Sequence, residues 1–192
     1  FDDVFVADKR RLEKIVDLLK YENYLFRCFG RANLLTKEVC SLLRAMGVFE
    51  VGIGVESGST QILKQNMKGT TKEMNTQAVK NLQQFGIRAK AFLIVGLPGE
   101  SEETVKETKQ WIETARPDDL DVSILQPMPG SVLFNTPEKF GINFNYDKNP
   151  LWYKGKPSEY KSSFSTKDLS AERIVELRDE IEAVYKDKNL LR

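Results

Sequence analysis

Residues 89–104 carry the sequence AKAFLIVGLPGESEET, an apolar run that ends in a glycine and proline turn and continues into acidic residues. A nearly continuous apolar run is typical of a β-strand that is covered on both faces in a parallel sheet. Ser101 precedes two glutamates, a pattern with which helices commonly begin. The stretch therefore predicts a strand, a tight turn and a helix, in that order.

The same layout recurs along the whole chain. Strands are predicted for residues 1–6, 24–30, 49–55, 87–95 and 120–126. Amphipathic helices are predicted for residues 9–20, 36–46, 71–85, 102–115 and 170–185. Five strands that alternate with helices indicate an α/β fold with a parallel sheet and right-handed crossovers. A doubly wound open sheet and a full or partial barrel both fit this pattern, and both bind ligands at the carboxyl ends of their strands.

The composition excludes several classes of protein. The 192 residues are 41% hydrophobic and 30% charged with a formal charge of +1, which gives no indication of binding to nucleic acid or to an anionic membrane. Histidine is absent and only Cys28 and Cys40 carry thiols, so histidine catalysis, a disulfide framework and a zinc site are excluded. No apolar run is long enough to span a membrane, and we expect a cytoplasmic protein.

Polar residues and turns follow each predicted strand. The five strand ends carry Asp2-Asp3, then GRAN at 30–33, ESGS at 56–59, GLPGE at 96–100 and QPMPG at 126–130. Because the carboxyl ends of parallel strands meet at one edge of a sheet, we expect these groups to form a common rim. Such a rim suits a zwitterionic ligand that carries sugar hydroxyls and a flat ring.

Each strand end also has a purely structural explanation. The two aspartates of the first end are compatible with a solvated loop, and Arg31 and Glu56 are able to pair with each other. Ser57 or Ser59 is able to cap a short helix over residues 60–67. The sequence LPGES is by itself a turn followed by a helix cap. The five ends taken together are more specific than any one of them.

Several longer stretches resemble the radical S-adenosylmethionine (radical SAM) superfamily. They are, in order, GIGVESGST at 52–60, KGTT at 68–71, AFLIVGLPGESEET at 91–104 and LQPMPGSVLF at 125–134. The opening FDDVFVADKRRLEKIVDLL fits the same template. The similarity extends to about residue 135 and is closest to the branch in which a cobalamin-binding domain often precedes the core.

The resemblance implies a partial parallel (β/α) barrel and an enzyme that uses S-adenosylmethionine (SAM). Members hold a [4Fe–4S] cluster through a CxxxCxxC motif, and they cleave SAM reductively to a 5′-deoxyadenosyl radical or use SAM with cobalamin for methyl transfer. The cofactor-binding positions that it implies are Asp2 and Asp3 for the amino end of SAM, Arg31 for the carboxylate, Glu56 and Ser57 for the ribose or methionine, Ile94, Gly96 and Pro98 for the adenine, and Gln126 and Pro127 for the far side.

No CxxxCxxC motif is present in this chain. We therefore expect the cluster ligands upstream of Phe1, and we expect this fragment to bind no metal and to be inactive alone. Residues 1–139 are interpreted as the C-terminal part of the core, and residues 140–192 as an irregular aromatic-rich segment with a C-terminal helix on the same domain. Residues 140–166 would form a lid or a packed surface loop.

The expected partners are a small-molecule substrate and an upstream region that carries the cluster, with a cobalamin-binding region as an addition in the full-length protein. The missing first strand would leave an open edge at residues 1–6, through which the chain could associate with another copy. We expect no membrane contact and no nucleic acid.

Two other functions remain open from the residues alone. An ordinary α/β-barrel aldolase or isomerase would need a catalytic lysine, and Lys90 is the one strand lysine that could serve. An RNA-binding or tRNA-modifying module would use the lysines and aromatic residues of positions 144–164. A CxxxCxxC motif upstream of Phe1 would decide in favour of the radical SAM interpretation.

Overall fold

The computed structural model describes residues 4–19, 21–145 and 159–189, with side chains described up to residue 185. Its main sheet contains the strands β1 (Phe26–Gly30), β2 (Val48–Glu56), β3 (Arg88–Val95) and β4 (Asp119–Ile124). They are parallel and lie side by side in their order along the chain. In the first pair, Gly30 of β1 aligns with Ile53 of β2. These four strands and their sequential order confirm the corresponding sequence predictions.

Seven α-helices are present in the described part of the chain. They are α1 (Lys9–Leu19), α2 (Lys37–Ala45), α3 (Thr60–Gln65), α4 (Lys72–Gln84), α5 (Glu102–Ala115), α6 (Val132–Asn135) and α7 (Ala171–Asn189). Their starting points follow from capping chemistry. The hydroxyls of Thr36 and Thr71 accept hydrogen bonds from backbone N–H groups in the first turns of α2 and α4. Ser170 accepts one from Arg173 N at 3.2 Å and so caps α7.

The first predicted strand is wrong in its described part, and residues 1–3 lie outside the described residues. Val4 lies in a turn, and Phe5–Ala7 form a 3₁₀ helix that Ala7 N closes by donating to Val4 O at 3.1 Å. The guanidinium of Arg11 donates to Phe5 O at 2.6 Å and lies 5.4 Å from the Phe5 ring centroid. These contacts with α1 turn the chain away from an extended path. The terminal strand of the described sheet is therefore β1, and the edge predicted at residues 4–6 is not a strand.

Contacts divide the chain into two compact units. Unit 1 consists of Phe1–Val55, Thr70–Phe92 and Trp111–Asp121. Unit 2 consists of Glu56–Gly69, Leu93–Gln110 and Val122–Arg192. Strands β2, β3 and β4 each begin in unit 1 and end in unit 2, so the carboxyl ends of all three belong to unit 2. No unit boundary falls between residues 139 and 140, and the division proposed there from the sequence stays a prediction.

Each unit has its own apolar core. In unit 1 the fully buried residues include Leu43, Ile53 and Leu82. Gly52 of β2 is required there by packing, because a Cβ at this position would lie 2.5 Å from the ring of Phe92 and 2.8 Å from the ring of Phe29. The core of unit 2 is built from β3, α5 and α7, and its buried members include Leu93, Val105, Phe164, Ile174 and Leu177.

The C-terminal part of unit 2 contains a second sheet that the sequence did not predict. Strand β5 (Ile142–Phe144) pairs antiparallel with β6 (Phe164–Thr166), and Ile142 aligns with Thr166. The two ends of the stretch that was predicted to be irregular are thus joined in a regular ladder. Residues 146–158, the central part of the predicted lid, lie outside the described residues.

Candidate functional site

The end of β2 is held in an unusual backbone conformation. Glu56, its last residue, has a φ angle of +65°, in the left-handed region that non-glycine residues rarely adopt. Its Oε1 accepts a hydrogen bond from Lys68 Nζ at 2.6 Å, and the two side chains are 22% and 25% exposed. Backbone strain of this kind is concentrated at ligand-binding and catalytic positions. Glu56 therefore combines a strained backbone with a half-buried, ion-paired carboxylate.

The turn that follows Glu56 is anchored from α5. Ser57 and Ser59 are completely buried. The Oγ of Ser57 lies 3.3 Å from Thr108 Oγ1, to which Gly58 N also donates at 3.0 Å. Ser59 occupies the N-cap position of α3, but its side chain makes no capping bond, and its own N–H donates to Ser57 Oγ at 3.1 Å. The hydroxyl of Ser59 is buried without a partner among the described residues.

The end of β3 is a tight turn closed by a buried carboxylate. Gly96 has a φ angle of +91°, and its N–H donates to Glu100 Oε2 at 2.6 Å. Glu100 is 2% exposed. Its burial raises the pKa of the carboxyl to about 7, although the N–H groups of Gly96 and Leu97 oppose that rise by stabilising the anion. The turn thus depends on a side chain that changes its charge near neutral pH.

The C-terminal end of α3 binds the same turn after β3. Asn66 Nδ2 donates to Pro98 O at 3.1 Å and to Ile62 O at 2.9 Å. Gln65 lies directly against Gly99, where a Cβ would approach the Gln65 amide to 2.4 Å. Gly99 also has a φ angle of +81°, so both its conformation and its surroundings require glycine. The ends of β2 and β3 are therefore linked through α3.

The end of β4 offers an amide donor. Leu125 N donates to Val95 O at 2.8 Å, which places the chain before Gln126 beside the end of β3. Gln126 Oε1 accepts from Ser163 Oγ at 3.4 Å, whereas its Nε2 is buried without a partner in the described part of the chain. A buried donor without a partner costs free energy unless a ligand or water accepts from it.

The predicted site residues fall into three groups. Asp2 and Asp3 lie outside the described residues. Arg31 belongs to unit 1, where it is exposed and precedes the 3₁₀ helix Ala32–Leu34. The members in unit 2 lie at the ends of three consecutive strands and are Glu56, Ser57, Ile94, Gly96, Pro98, Gln126 and Pro127. Ile94 and Gln126 are half-buried, whereas Gly96, Pro98 and Pro127 are buried.

Sequence reasoning missed three residues of this arrangement. Lys68 lies in the KGTT motif but was given no role, although its ammonium group pairs with Glu56. Glu100 was noted as part of a turn, and only its burial distinguishes it from a surface glutamate. Thr108 lies in the middle of a predicted helix, and nothing in its local sequence points to the turn after β2.

The chemistry of Lys90 gives no support to an ordinary α/β-barrel enzyme. Lys90 is the third residue of β3 rather than a residue at its end, and its Nζ lies 3.0 Å from Asp119 Oδ2. It lines an apolar cavity of about 330 Å³ in unit 1, together with Phe29, Glu50 and Phe92. None of the rim residues that the structure describes lines this cavity.

The two thiols do not form a metal site. Cys40 in α2 is completely buried, and burial raises the pKa of its thiol to about 11. Cys28 lies in β1 and is half-buried. Within the described ranges no three histidine, cysteine or acidic side chains are grouped closely enough to hold a metal ion. None of the helices in those ranges combines the length and the apolar character that crossing a membrane requires.

Comparison with known proteins identifies relatives among methyltransferases. An uncharacterized methyltransferase of Pyrococcus horikoshii is 30% identical over 135 residues, which cover 69% of this chain and 29% of that protein. The bacteriochlorophyllide d C-12(1)-methyltransferase of Chlorobaculum tepidum is 30% identical over 146 residues, which cover 75% of this chain and 30% of that protein. This chain thus spans less than a third of the length of either relative.

A solved structure with the same fold is that of the radical S-adenosylmethionine methyltransferase TsrM from Kitasatospora setae, with cobalamin and a [4Fe–4S] cluster bound. It is similar with a TM-score of 0.62 and 22% sequence identity over 74% of this chain and 31% of that chain. This similarity confirms the predicted fold class. The family model for the radical SAM superfamily matches residues 4–112. Because that match covers more than half of the sequence, the chain belongs to the radical SAM superfamily.

Proposed function

We propose that this chain holds SAM for a radical SAM enzyme of which it forms the C-terminal part of the core. The observation that carries the proposal is the set of groups at the ends of β2, β3 and β4 in unit 2. A strained, half-buried carboxylate, a glycine-rich turn and an amide donor without a partner follow three consecutive strands. These are the kinds of group that recognise a ribose, a flat base edge and a ring acceptor.

The residues in unit 2 fit parts of SAM as follows. The Glu56 carboxylate accepts hydrogen bonds from ribose hydroxyls or from the ammonium group. The Gln126 amide supplies the donor that an adenine ring nitrogen or a ribose oxygen needs, which would satisfy the buried Nε2. Ile94 is half-buried and provides apolar surface for the ring. Gly96 and Pro98 are buried and shape the turn that flanks the ring, and glycine is needed at position 96 because a Cβ there would lie 2.9 Å from the Phe164 ring. Pro127 follows Gln126 and closes the far side.

The SAM-binding roles of Arg31, Asp2 and Asp3 are also part of the proposal. A guanidinium group pairs with a carboxylate through two parallel hydrogen bonds, so Arg31 is assigned to the methionine carboxylate. Asp2 and Asp3 are assigned to the amino end of SAM.

The residues of this chain do not fit a [4Fe–4S] cluster. Such a cluster needs three thiolates in addition to SAM, whereas the sequence contains two cysteines and one of them is a buried thiol with a pKa of about 11. The cluster ligands are therefore assigned to the protein upstream of this chain, and no catalytic residue is assigned within it. When bound, SAM supplies either the organic radical that removes a substrate hydrogen or the methyl group that is transferred.

Methyl transfer to a small organic molecule is the preferred form of this function. It is supported by the methyltransferase names of the two relatives and of TsrM, whose structure contains cobalamin. Cobalamin is accordingly proposed as a second cofactor of the full-length protein, held outside this chain.

A binding experiment tests the assignment of SAM. The full-length protein that contains this chain is reconstituted anaerobically, and SAM is titrated calorimetrically into the parent and into Arg31→Ala and Glu56→Ala. Each substitution removes a charge-assisted contact of about 1.5–3 kcal/mol, so each should weaken binding about tenfold to a hundredfold. The matched controls are Arg10→Ala and Glu103→Ala, which remove the same charges from exposed helix positions.

The outcomes separate a binding role from a structural one. Glu56→Gln should bind SAM more tightly than Glu56→Ala, because the amide oxygen still accepts from a ribose hydroxyl. Iron content should not change in any variant. If the parent binds SAM while Arg31→Ala and Glu56→Ala bind it equally tightly, the site assignment is wrong. If the parent binds no SAM, the proposed function itself fails.

A further inference from the structure

We propose that Thr108 of α5 is a positioning residue that holds the Glu56 carboxylate in place, and that Ser57 links the two without touching SAM. The proposal rests on the assignment of SAM to this site and changes the role of one predicted contact. It is carried by the hydrogen bonds around two buried hydroxyls, those of Ser57 and Thr108.

The direction of these hydrogen bonds follows from counting protons. A threonine hydroxyl has one proton and two lone pairs. Thr108 Oγ1 lies 3.1 Å from Thr104 O, a carbonyl oxygen that accepts only, so Thr108 donates its proton there. The same oxygen accepts from Gly58 N at 3.0 Å. The remaining contact, with Ser57 Oγ at 3.3 Å, must then have Ser57 as its donor. Thr108 uses its whole hydrogen-bonding capacity within the protein.

Ser57 is committed in the same way. Its one proton goes to Thr108, and its oxygen accepts from Ser59 N at 3.1 Å. The residue is completely buried, with 0% of its surface exposed. A hydroxyl that has donated its proton to a neighbour has none left for a ligand, and a buried one offers no surface to it. Ser57 therefore belongs to the support of the turn rather than to the ligand-contacting surface.

The support is needed because Glu56 is strained. A non-glycine residue with a φ angle of +65° keeps that conformation only where its surroundings fix the backbone on both sides. β2 fixes the preceding side. On the following side, Ser57 and Gly58 are both tied to the single oxygen of Thr108. Loss of that oxygen frees the turn to relax, and relaxation would move the carboxylate that begins it.

Thr108 also couples two parts of the site. Its helix, α5, begins directly after the Glu100 turn at the end of β3, and Asn66 of α3 donates back to Pro98 O in that turn. The turn after β2 is therefore held by α5, the helix that follows β3. The turn after β3 is held in return by Asn66 at the end of α3, the helix that follows β2. A change at Thr108 should affect SAM binding although its side chain is buried and 3% exposed.

The test uses the anaerobically reconstituted full-length protein and four variants. Thr108→Val removes the hydroxyl at nearly constant volume, Thr108→Ser keeps it, and Ser57→Ala removes its hydrogen-bonding partner. Thr104→Val is the matched control, since it deletes an equally buried hydroxyl one turn earlier whose partner is Ser101. The dissociation constant of SAM is measured by calorimetry, and the melting temperature is measured without SAM.

Ser57→Ala should weaken SAM binding about three- to tenfold, as expected for one lost buried hydrogen bond to Thr108. Thr108→Val should weaken it at least as much, because it also removes the acceptor of Gly58 N. The double variant should bind about as weakly as Thr108→Val alone, because that substitution already breaks the link through Ser57. Thr108→Ser should bind within about twofold of the parent. Thr104→Val should melt at a lower temperature and bind SAM as the parent does.

Two results would overturn the inference. If Thr108→Val binds SAM as tightly as the parent, the link to α5 does not position the carboxylate. If Ser57→Ala weakens binding while Thr108→Val does not, Ser57 contacts SAM directly. A parent protein that fails to bind SAM refutes the proposed function instead. Should Thr108→Val not fold, Thr108→Ala removes the same oxygen with a smaller side chain, and SAM binding as tight as that of the parent would again exclude the link.

Discussion

Glu100→Gln should remove a pH dependence from the stability of this protein. The Glu100 carboxyl is 2% exposed, and burial raises its pKa from 4.5 to about 7. The glutamine side chain has nearly the same shape and can accept from Gly96 N, but it does not titrate. The comparison of the two proteins therefore isolates the ionisation of one buried group.

The sign and size of the effect follow from the two pKa values. Because the pKa is higher in the folded protein, the folded state binds more protons than the unfolded chain between pH 4.5 and about 7. The stabilising contribution is complete below pH 4.5 and is lost as the pH rises through about 7. Each unit of difference between the two pKa values is worth about 1.4 kcal/mol, so this group changes the free energy of unfolding by about 3 kcal/mol.

Urea unfolding measured at several values between pH 4 and pH 8 tests this. The free energy of unfolding of the parent should fall by about 3 kcal/mol relative to that of Glu100→Gln over this range. Glu102→Gln is a control whose difference from the parent in free energy of unfolding should stay nearly constant from pH 8 down to about pH 5. Hydrogen bonds from Arg173 lower the pKa of the exposed Glu102, so its contribution is present at neutral pH and is lost as the pH falls. The difference in free energy of unfolding between two variants cancels the contributions of the other titrating groups.

If the free energy of unfolding of the parent differs from that of Glu100→Gln by the same amount at every pH, the reasoning is refuted. Glu100 would then titrate equally in the folded and the unfolded state. A difference that grows in favour of the parent as the pH rises would mean that the N–H groups of Gly96 and Leu97 outweigh burial. In that case the turn would hold a stable carboxylate.

Two further predictions concern the thiols and the core of unit 2. Iodoacetamide at pH 8 should label Cys28 and leave Cys40 unmodified until the protein unfolds. The reason is that Cys40 is completely buried and that burial raises the pKa of its thiol to about 11. Peptide mass spectrometry measures the labelling, and equal labelling of the two cysteines would contradict this prediction. Arg178 is 3% exposed and donates to Val122 O at 3.1 Å while pairing with Glu182. Arg178→Met should lower the free energy of unfolding by about 1–3 kcal/mol in a urea titration, because Val122 O loses its donor, and an unchanged free energy would mean that these contacts are not needed.

Local patterns were sufficient for much of the fold. The runs that became β2 and β3 are mostly apolar, and the run that became β4 alternates polar and apolar residues. Threonines begin α2 and α4, so each of these elements is specified by residues close in sequence. The described part of the first predicted strand was wrong because Phe5 is held by Arg11 from the next helix. The pair of β5 and β6 was missed because three-residue strands have no detectable period, and their partners lie about twenty positions apart.

For β1 to β4 of this radical SAM chain, the sequence alone determined which residues follow the strands, because parallel strands bring their carboxyl ends to the same edge whatever their side chains do. Only the tertiary structure decided what those residues contact. Glu56 meets Lys68, twelve positions on, and Ser57 meets Thr108, fifty-one positions on. The backbone angle of Glu56 and the packing of α5 set the direction of each side chain, and long-range packing of this kind leaves no periodic trace in a sequence.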